Sequence, residues 1–83
     1  MSSPERLMNV GRLKEAEQKA KTLAIKIHGL RETLRTHTDR HRPVESIDTE
    51  VLAVTLKDLV EAKTEFEVVT DQIRALKEDL GEA

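Results

Sequence analysis

Two histidines have the clearest metal-binding spacing in the sequence. His37 and His41 are four residues apart, with Asp39 between them, and on a helix this spacing would place two imidazoles on one face, as a zinc site requires. The sequence supplies no fixed third ligand and no HExxH glutamate. The third histidine, His28, falls outside the apolar pattern of its segment. The sequence therefore predicts no metal site, and histidines exposed to solvent near a turn.

Arginines near these histidines are suited to phosphate recognition, because a planar guanidinium group matches two phosphate oxygens. The acidic residues Glu32 and Asp39 dilute this positive charge, and no exposed aromatic side chain offers a stacking surface to a base. An RNA or DNA contact is therefore the alternative function, and association with protein is the favoured one. The candidate phosphate contacts are Arg31, Arg35, Arg40 and Arg42.

The sequence contains no cysteine and no recognisable catalytic motif. The chain has no cysteine, which excludes a thiolate nucleophile, a disulfide framework and a cysteine-based zinc site. No glycine-rich phosphate loop, Ser/His/Asp order or carboxylate pair stands out, and two rod-like helices would form no concave site that excludes water. The sequence predicts that the protein is not an enzyme and has no cofactor.

Composition favours one all-α domain. The 83 residues, 9.4 kDa in mass, include one phenylalanine, no tryptophan or tyrosine, three glycines and two prolines, which is poor material for the strands and turns of a sheet. We expect a single domain over residues 1–83. No apolar run reaches the length of a signal peptide or a membrane span, so a cytoplasmic protein without membrane contact is predicted.

The first half of the chain has the apolar period of a helix that packs along one stripe. Ser3 and Pro4 are suited to begin this helix, as a capping hydroxyl and a residue favoured in the first turn. We expect it over about residues 4–41. The apolar residues alternate in steps of three and four, the period of a coiled-coil seam: Leu13, Ala16, Ala20, Leu23, Ile27, Leu30 and Leu34.

The second half repeats the pattern. Asp48 is the predicted cap and Gly81 the residue that turns left-handed at the end, so this helix is expected over about residues 49–80. Pro43 requires a turn between the helices, at about residues 42–48. The corresponding stripe is Leu52, Thr55, Leu59, Ala62, Phe66, Val69, Ile73, Leu76 and Leu80.

Charge predicts how the helices meet. Residues 1–42 carry ten basic and five acidic side chains, and residues 43–83 carry four basic and eleven acidic ones. The halves are therefore +5 and −7, and a short connection makes them antiparallel neighbours. Two registers are compatible with this charge. One pairs Lys19 with Glu65 and Lys26 with Asp58; the other pairs Arg12 with Asp79 and Lys26 with Glu65. The second is preferred, because it sets small residues against large ones across the seam.

Apolar residues beyond the two stripes indicate that a lone hairpin is incomplete. Two helices alone bury too little surface to offset the ordering of the chain, and the commonest solution is a two-fold dimer, here a four-helix bundle. We therefore expect a homodimer, or association with another protein. The residues expected to form the self-association face are Val51, Val54, Leu56, Val60, Val68, Ala24 and Ile25.

Three stretches carry a resemblance to a protein group. They are residues 30–34, the connection from Arg42 to Asp48, and residues 73–81. Their pattern resembles that of small uncharacterised helical-hairpin proteins of bacterial genomes and Mu-like prophages. The resemblance implies an accessory protein without an assigned activity and supplies no site residue. The expected architecture is also similar to that of Rop-type dimeric hairpins, which bind RNA along one helix face, although no motif is shared with them.

Overall fold

The computed structural model describes residues 3–81 as two long antiparallel helices. Helix α1 spans Pro4–His37 and helix α2 spans Thr49–Asp79, with a short 3₁₀ turn at Val44–Ser46 between them. The hairpin measures 65 × 18 × 15 Å, and this part of the chain contains no strand. The predicted all-α hairpin is confirmed. The ends of the predicted domain, residues 1–2 and 82–83, lie outside the described residues.

Side chains cap the start of each helix as the sequence predicts. The hydroxyl oxygen of Ser3 accepts a hydrogen bond from the backbone N–H of Arg6 at 3.1 Å. The carboxylate of Asp48 accepts bonds from the N–H groups of Glu50 and Val51, both at 3.1 Å. These N–H groups belong to the first turns, where no helical carbonyl is available to them. At the other end of α2, Gly81 has a φ of 76°, the left-handed conformation that favours glycine.

Helix α1 ends at His37, about four residues earlier than the sequence predicts. The hydroxyl of Thr38 donates to the carbonyl of Leu34 at 2.6 Å, and the carboxylate of Asp39 accepts from the N–H of His41 at 2.8 Å. The N–H of Arg42 then donates to the carbonyl of Asp39 at 3.0 Å. Short polar side chains thus satisfy the backbone locally and compete with further helix. Pro43 alone would allow the helix to continue to about residue 41.

The core is the seam between the helices, meaning the two apolar stripes identified above. Its most buried side chain is Val69, with 1% of its surface exposed. Ala16, Leu23 and Val69 form one buried cluster, and Ala20, Phe66 and Ile73 pack against it half-buried. Every buried residue in the described chain comes from the predicted stripes: Leu13, Ala16, Leu23, Thr55, Ala62, Val69 and Leu80.

The core packing is that of the preferred second register. Ala16, Ala20 and Leu23 of α1 form one cluster with Phe66, Val69 and Ile73 of α2, which are the small-against-large pairings that favoured it. The ion pairing differs from the prediction, because the Nζ atom of Lys19 lies 3.2 Å from Oε1 of Glu65, the pair expected for the first register. Two long, exposed side chains form this contact, so it does not set the level of the helices. Near the other end of the hairpin, Arg6 donates to the backbone carbonyl of Leu80 at 3.3 Å.

Truncating Val69 is expected to destabilise the protein strongly. Val69→Ala removes two methyl groups from the centre of the seam and should lower the free energy of unfolding by about 2–3 kcal/mol. Val60→Ala is the matched control, because Val60 is on the same helix and 57% exposed; it should change stability by less than about 0.5 kcal/mol. Urea unfolding followed by circular dichroism measures both. Equal losses in the two variants would contradict the observed seam.

The observed ion pair predicts which charges are coupled. A double-mutant cycle on Lys19 and Glu65, with both changed to alanine, should return a coupling energy of about 0.2–1 kcal/mol, since the pair is exposed. The same cycle on Arg12 and Asp79 should return a value near zero. Unfolding at low salt measures both cycles, and a larger coupling for Arg12 with Asp79 than for Lys19 with Glu65 would contradict the observed ion pairing.

Candidate functional site

The two candidate zinc histidines do not share a helix face. His37 is the last residue of α1, whereas His41 lies in the connection, where its Nε2 atom accepts a hydrogen bond from Nε of Arg40 at 3.3 Å. The Nδ1 atom of His37 is buried and has no hydrogen-bond partner among residues 3–81. Over the same residues, no group of three or more histidine or carboxylate side chains is arranged to hold a metal ion. The early end of α1 is what separates the pair.

The four candidate arginines do not form one free cluster. Arg31 and Arg35 are on α1, and Arg40 and Arg42 are in the connection. Arg42 is half-buried and donates to the carbonyls of Thr36 and Ser46, at 3.4 and 3.3 Å. Arg42 therefore holds the connection against the end of α1, and its guanidinium is already engaged by backbone oxygens. An RNA or DNA contact through the four arginines stays a prediction.

The residues predicted to form one self-association face lie on several sides of the seam. Ala24 lines a groove on one side together with Lys63. Leu56 is seven residues before Lys63 and Val60 is four after Leu56, so both share that side. Six of the seven predicted residues are exposed, Val51 being half-buried.

The remaining members lie elsewhere. Ala75 lines a second groove on the opposite side of the seam, and Val68 and Val54 precede it by one and three heptads. Val51, one turn before Val54, is at the edge of the same side. Ile25, 74% exposed, points away from the seam. The residues predicted to form a single face therefore divide between two sides of the seam, with Ile25 on neither, because each residue turns the helix by about 100°.

Charge distinguishes the two sides. We call the side that contains Ala24, Leu56 and Val60 the basic side. Its charged residues on the two helices are seven lysines and arginines against two glutamates, a net charge of +5. They are Lys14, Lys21, Arg31, Arg35, Lys63, Arg74 and Lys77, with Glu17 and Glu67.

We call the opposite side, which contains Val54, Val68 and Ala75, the acidic side. It carries three basic and six acidic residues, a net charge of −3. The basic ones are all on α1, and α2 contributes only acidic ones. They are Arg12, Lys19 and Lys26, with Glu5, Glu15, Asp58, Glu61, Glu65 and Asp79. The groove on this side has a volume of about 430 Å³ and includes Ala16 and Leu76 in its lining.

The sequence does contain a signal for the basic side. Lys14, Lys21, His28 and Arg35 recur every seven residues, so they follow one line beside the seam. Counting charge along the chain hides this line, because α1 also carries basic residues on its other side. Assigning each charge to a heptad position would have found it.

Comparison with known proteins adds no functional assignment. No family model, curated protein or solved structure matches this chain. The resemblance to bacterial and prophage hairpin proteins therefore stays a prediction. Within residues 3–81, neither helix has a segment long and apolar enough to span a membrane.

The contacts of Arg42 predict a structural role for this residue. Arg42→Ala should lower the free energy of unfolding by about 0.5–1.5 kcal/mol, because two carbonyls lose a donor. Arg40→Ala removes the same charge from the same connection and should have an effect below about 0.5 kcal/mol. Thermal unfolding at one protein concentration compares the two, and equal stability of both variants would show that Arg42 is free for another role.

Proposed function

We propose that this protein acts through protein–protein association, as an assembly or adaptor component, and that its hairpins pair as a homodimer. One observation carries the proposal. In the described chain six apolar side chains are buried, whereas nine large apolar side chains remain exposed. Exposed aliphatic residues in this proportion favour a partner that covers them. The proposal assigns the chain a binding role rather than a catalytic one. Its cytoplasmic location also stays a prediction.

The acidic side is the better candidate for self-association. A two-fold axis parallel to the long axis of the hairpin would set α1 of each copy opposite α2 of the other. On this side, the basic residues of α1 would then face the acidic residues of α2 in both halves of a four-helix bundle. Because this axis keeps every residue at its own level, Lys26 would lie between the levels of Asp58 and Glu65 of the second copy, and Lys19 between those of Glu65 and Gln72. Val54 and Val68 supply apolar contact between these charges.

The basic side is less suited to the same arrangement. Both of its helices carry more basic than acidic residues, so a two-fold axis would bring like charges together, and like charges in contact are destabilising. The available surface area does not favour one side over the other as a dimer interface, because each side is about as long and wide as the hairpin, 65 × 18 Å. That gives each copy on the order of 1,000 Å² to bury, which is sufficient for a stable interface. Charge therefore supports the acidic side.

The homodimer proposal predicts different effects for two double variants. Val54→Glu with Val68→Glu places four extra negative charges in an acidic dimer interface and should yield a monomer of 9.4 kDa. Leu56→Glu with Val60→Glu makes the same kind of change on the basic side and should leave the dimer intact. Light scattering after size exclusion measures the mass, and circular dichroism confirms that both variants are helical.

Two results would contradict the proposal. A parent protein that stays at 9.4 kDa over a wide concentration range would remove self-association altogether. Dissociation by the Leu56 and Val60 changes, with no effect of the Val54 and Val68 changes, would move the interface to the basic side.

A further inference from the structure

A groove on the basic side lies beside the seam in the half of the hairpin nearest the connection. Its apolar lining comes from both helices: Ala24 and Ile27 of α1, with Leu59 and Phe66 of α2. Its volume is about 520 Å³. Phe66, the only aromatic residue of the chain, is half-buried there. The groove is therefore an apolar channel on the surface, running between the two antiparallel helices.

Positive charge borders this channel. Arg31 and His28 line it from α1, and Lys63 lines it from α2. Lys63 is paired with Glu67 on its own helix, but Arg31 forms no ion pair with any of residues 3–81. Lys14 and Lys21 lie on the heptad line of His28 but outside the groove lining, and they likewise have no acidic partner among these residues, whereas Arg35 on that line is paired with Glu32. The charge of Arg31 at the α1 edge of the channel is therefore not neutralised by another side chain of the described residues.

The apolar surface continues beyond the channel. Leu56 and Val60 are on the same side of α2, with 54% and 57% of their surfaces exposed. Together with the channel they give an apolar strip bounded by cations. An amphipathic helix of another protein fits such a strip, since its apolar residues enter the groove and its flanking residues meet the rim.

We propose that the basic side binds an amphipathic helix of a different protein whose apolar stripe is flanked by glutamate or aspartate. A second copy of this chain, related by a two-fold axis, would bring a side of charge +5 against itself. A nucleic acid would meet the cations but would leave Leu56, Val60 and the channel in contact with phosphate or solvent. The acidic helix satisfies both the charges and the apolar strip. This interaction does not depend on the homodimer, which uses the opposite side.

The test uses synthetic three-heptad peptides and the whole protein. The first peptide has leucine at the two seam positions of each heptad and glutamate at the flanking positions, where mutual repulsion limits its pairing with itself. The second replaces each glutamate by lysine, and the third replaces each leucine by serine. Fluorescence anisotropy of labelled peptides measures binding, and a labelled RNA duplex is titrated in parallel.

We expect only the leucine–glutamate peptide to bind. Arg31→Glu should weaken its binding about tenfold, because a cation on the rim becomes a carboxylate. Lys57→Glu is the matched control, since it makes the same charge change at an exposed position of α2 that points away from the seam. It should change the affinity less than twofold, roughly the effect of a distant screened charge. Circular dichroism confirms that both variants fold.

Several outcomes would overturn the proposal. They are no binding of the leucine–glutamate peptide, equal binding of the lysine or serine peptide, and equal weakening by the two variants. Binding of the RNA duplex that is lost in Arg31→Glu, without binding of the leucine–glutamate peptide, would assign the basic side to nucleic acid instead. None of these results depends on whether the protein is a monomer or a dimer.

Discussion

Two helices that lie side by side can each bury only the stripe of side chains that faces the other, and the rest of this molecule follows from that limit. In the described chain the stripe is narrow, and three of its buried residues are small or polar: Ala16, Ala62 and Thr55. The buried cluster around Val69 therefore supplies much of the apolar contact that offsets the ordering of two helices of more than thirty residues each. Aliphatic residues outside the stripe, such as Val54 and Leu56, keep more than half of their surface exposed.

The charged residues are unevenly distributed both along the chain and around the seam. Along the chain, a basic half is followed by an acidic half, which favours the antiparallel pair and is seen directly in the contact between Lys19 and Glu65. Around the seam, both helices place basic residues on one side, whereas α2 places only acidic ones on the other. The second arrangement gives the hairpin two unlike surfaces. These two surfaces are the basis of the proposals that one side pairs with a second copy and the other binds an acidic helix.

Polar side chains in the connection between the helices form hydrogen bonds with the nearby backbone. Asp39 and Thr38 bond the nearby backbone, and Arg42 reaches the carbonyls of Thr36 and Ser46. These bonds end α1, close the turn and engage one of the four arginines that the sequence marked as a phosphate contact. The surfaces proposed for association lie along the sides of the helices rather than at the end of the hairpin.

The sequence by itself determined the two helices, their caps at Ser3 and Asp48, the left-handed Gly81 and the membership of the seam. Each depends on side chains a few residues apart, where helical period and local hydrogen bonds decide the outcome. Tertiary structure decided which charges pair across the seam and how the exposed aliphatic residues divide between two sides. Exposed ion pairs are worth about 0–1 kcal/mol each, which is too little to identify from a pattern. Lys19 therefore contacts Glu65 although the core has the packing of the register that pairs Lys26 with Glu65. The sides are defined by the seam, so the assignment of Leu56 or Val68 to one of them requires the position of the other helix.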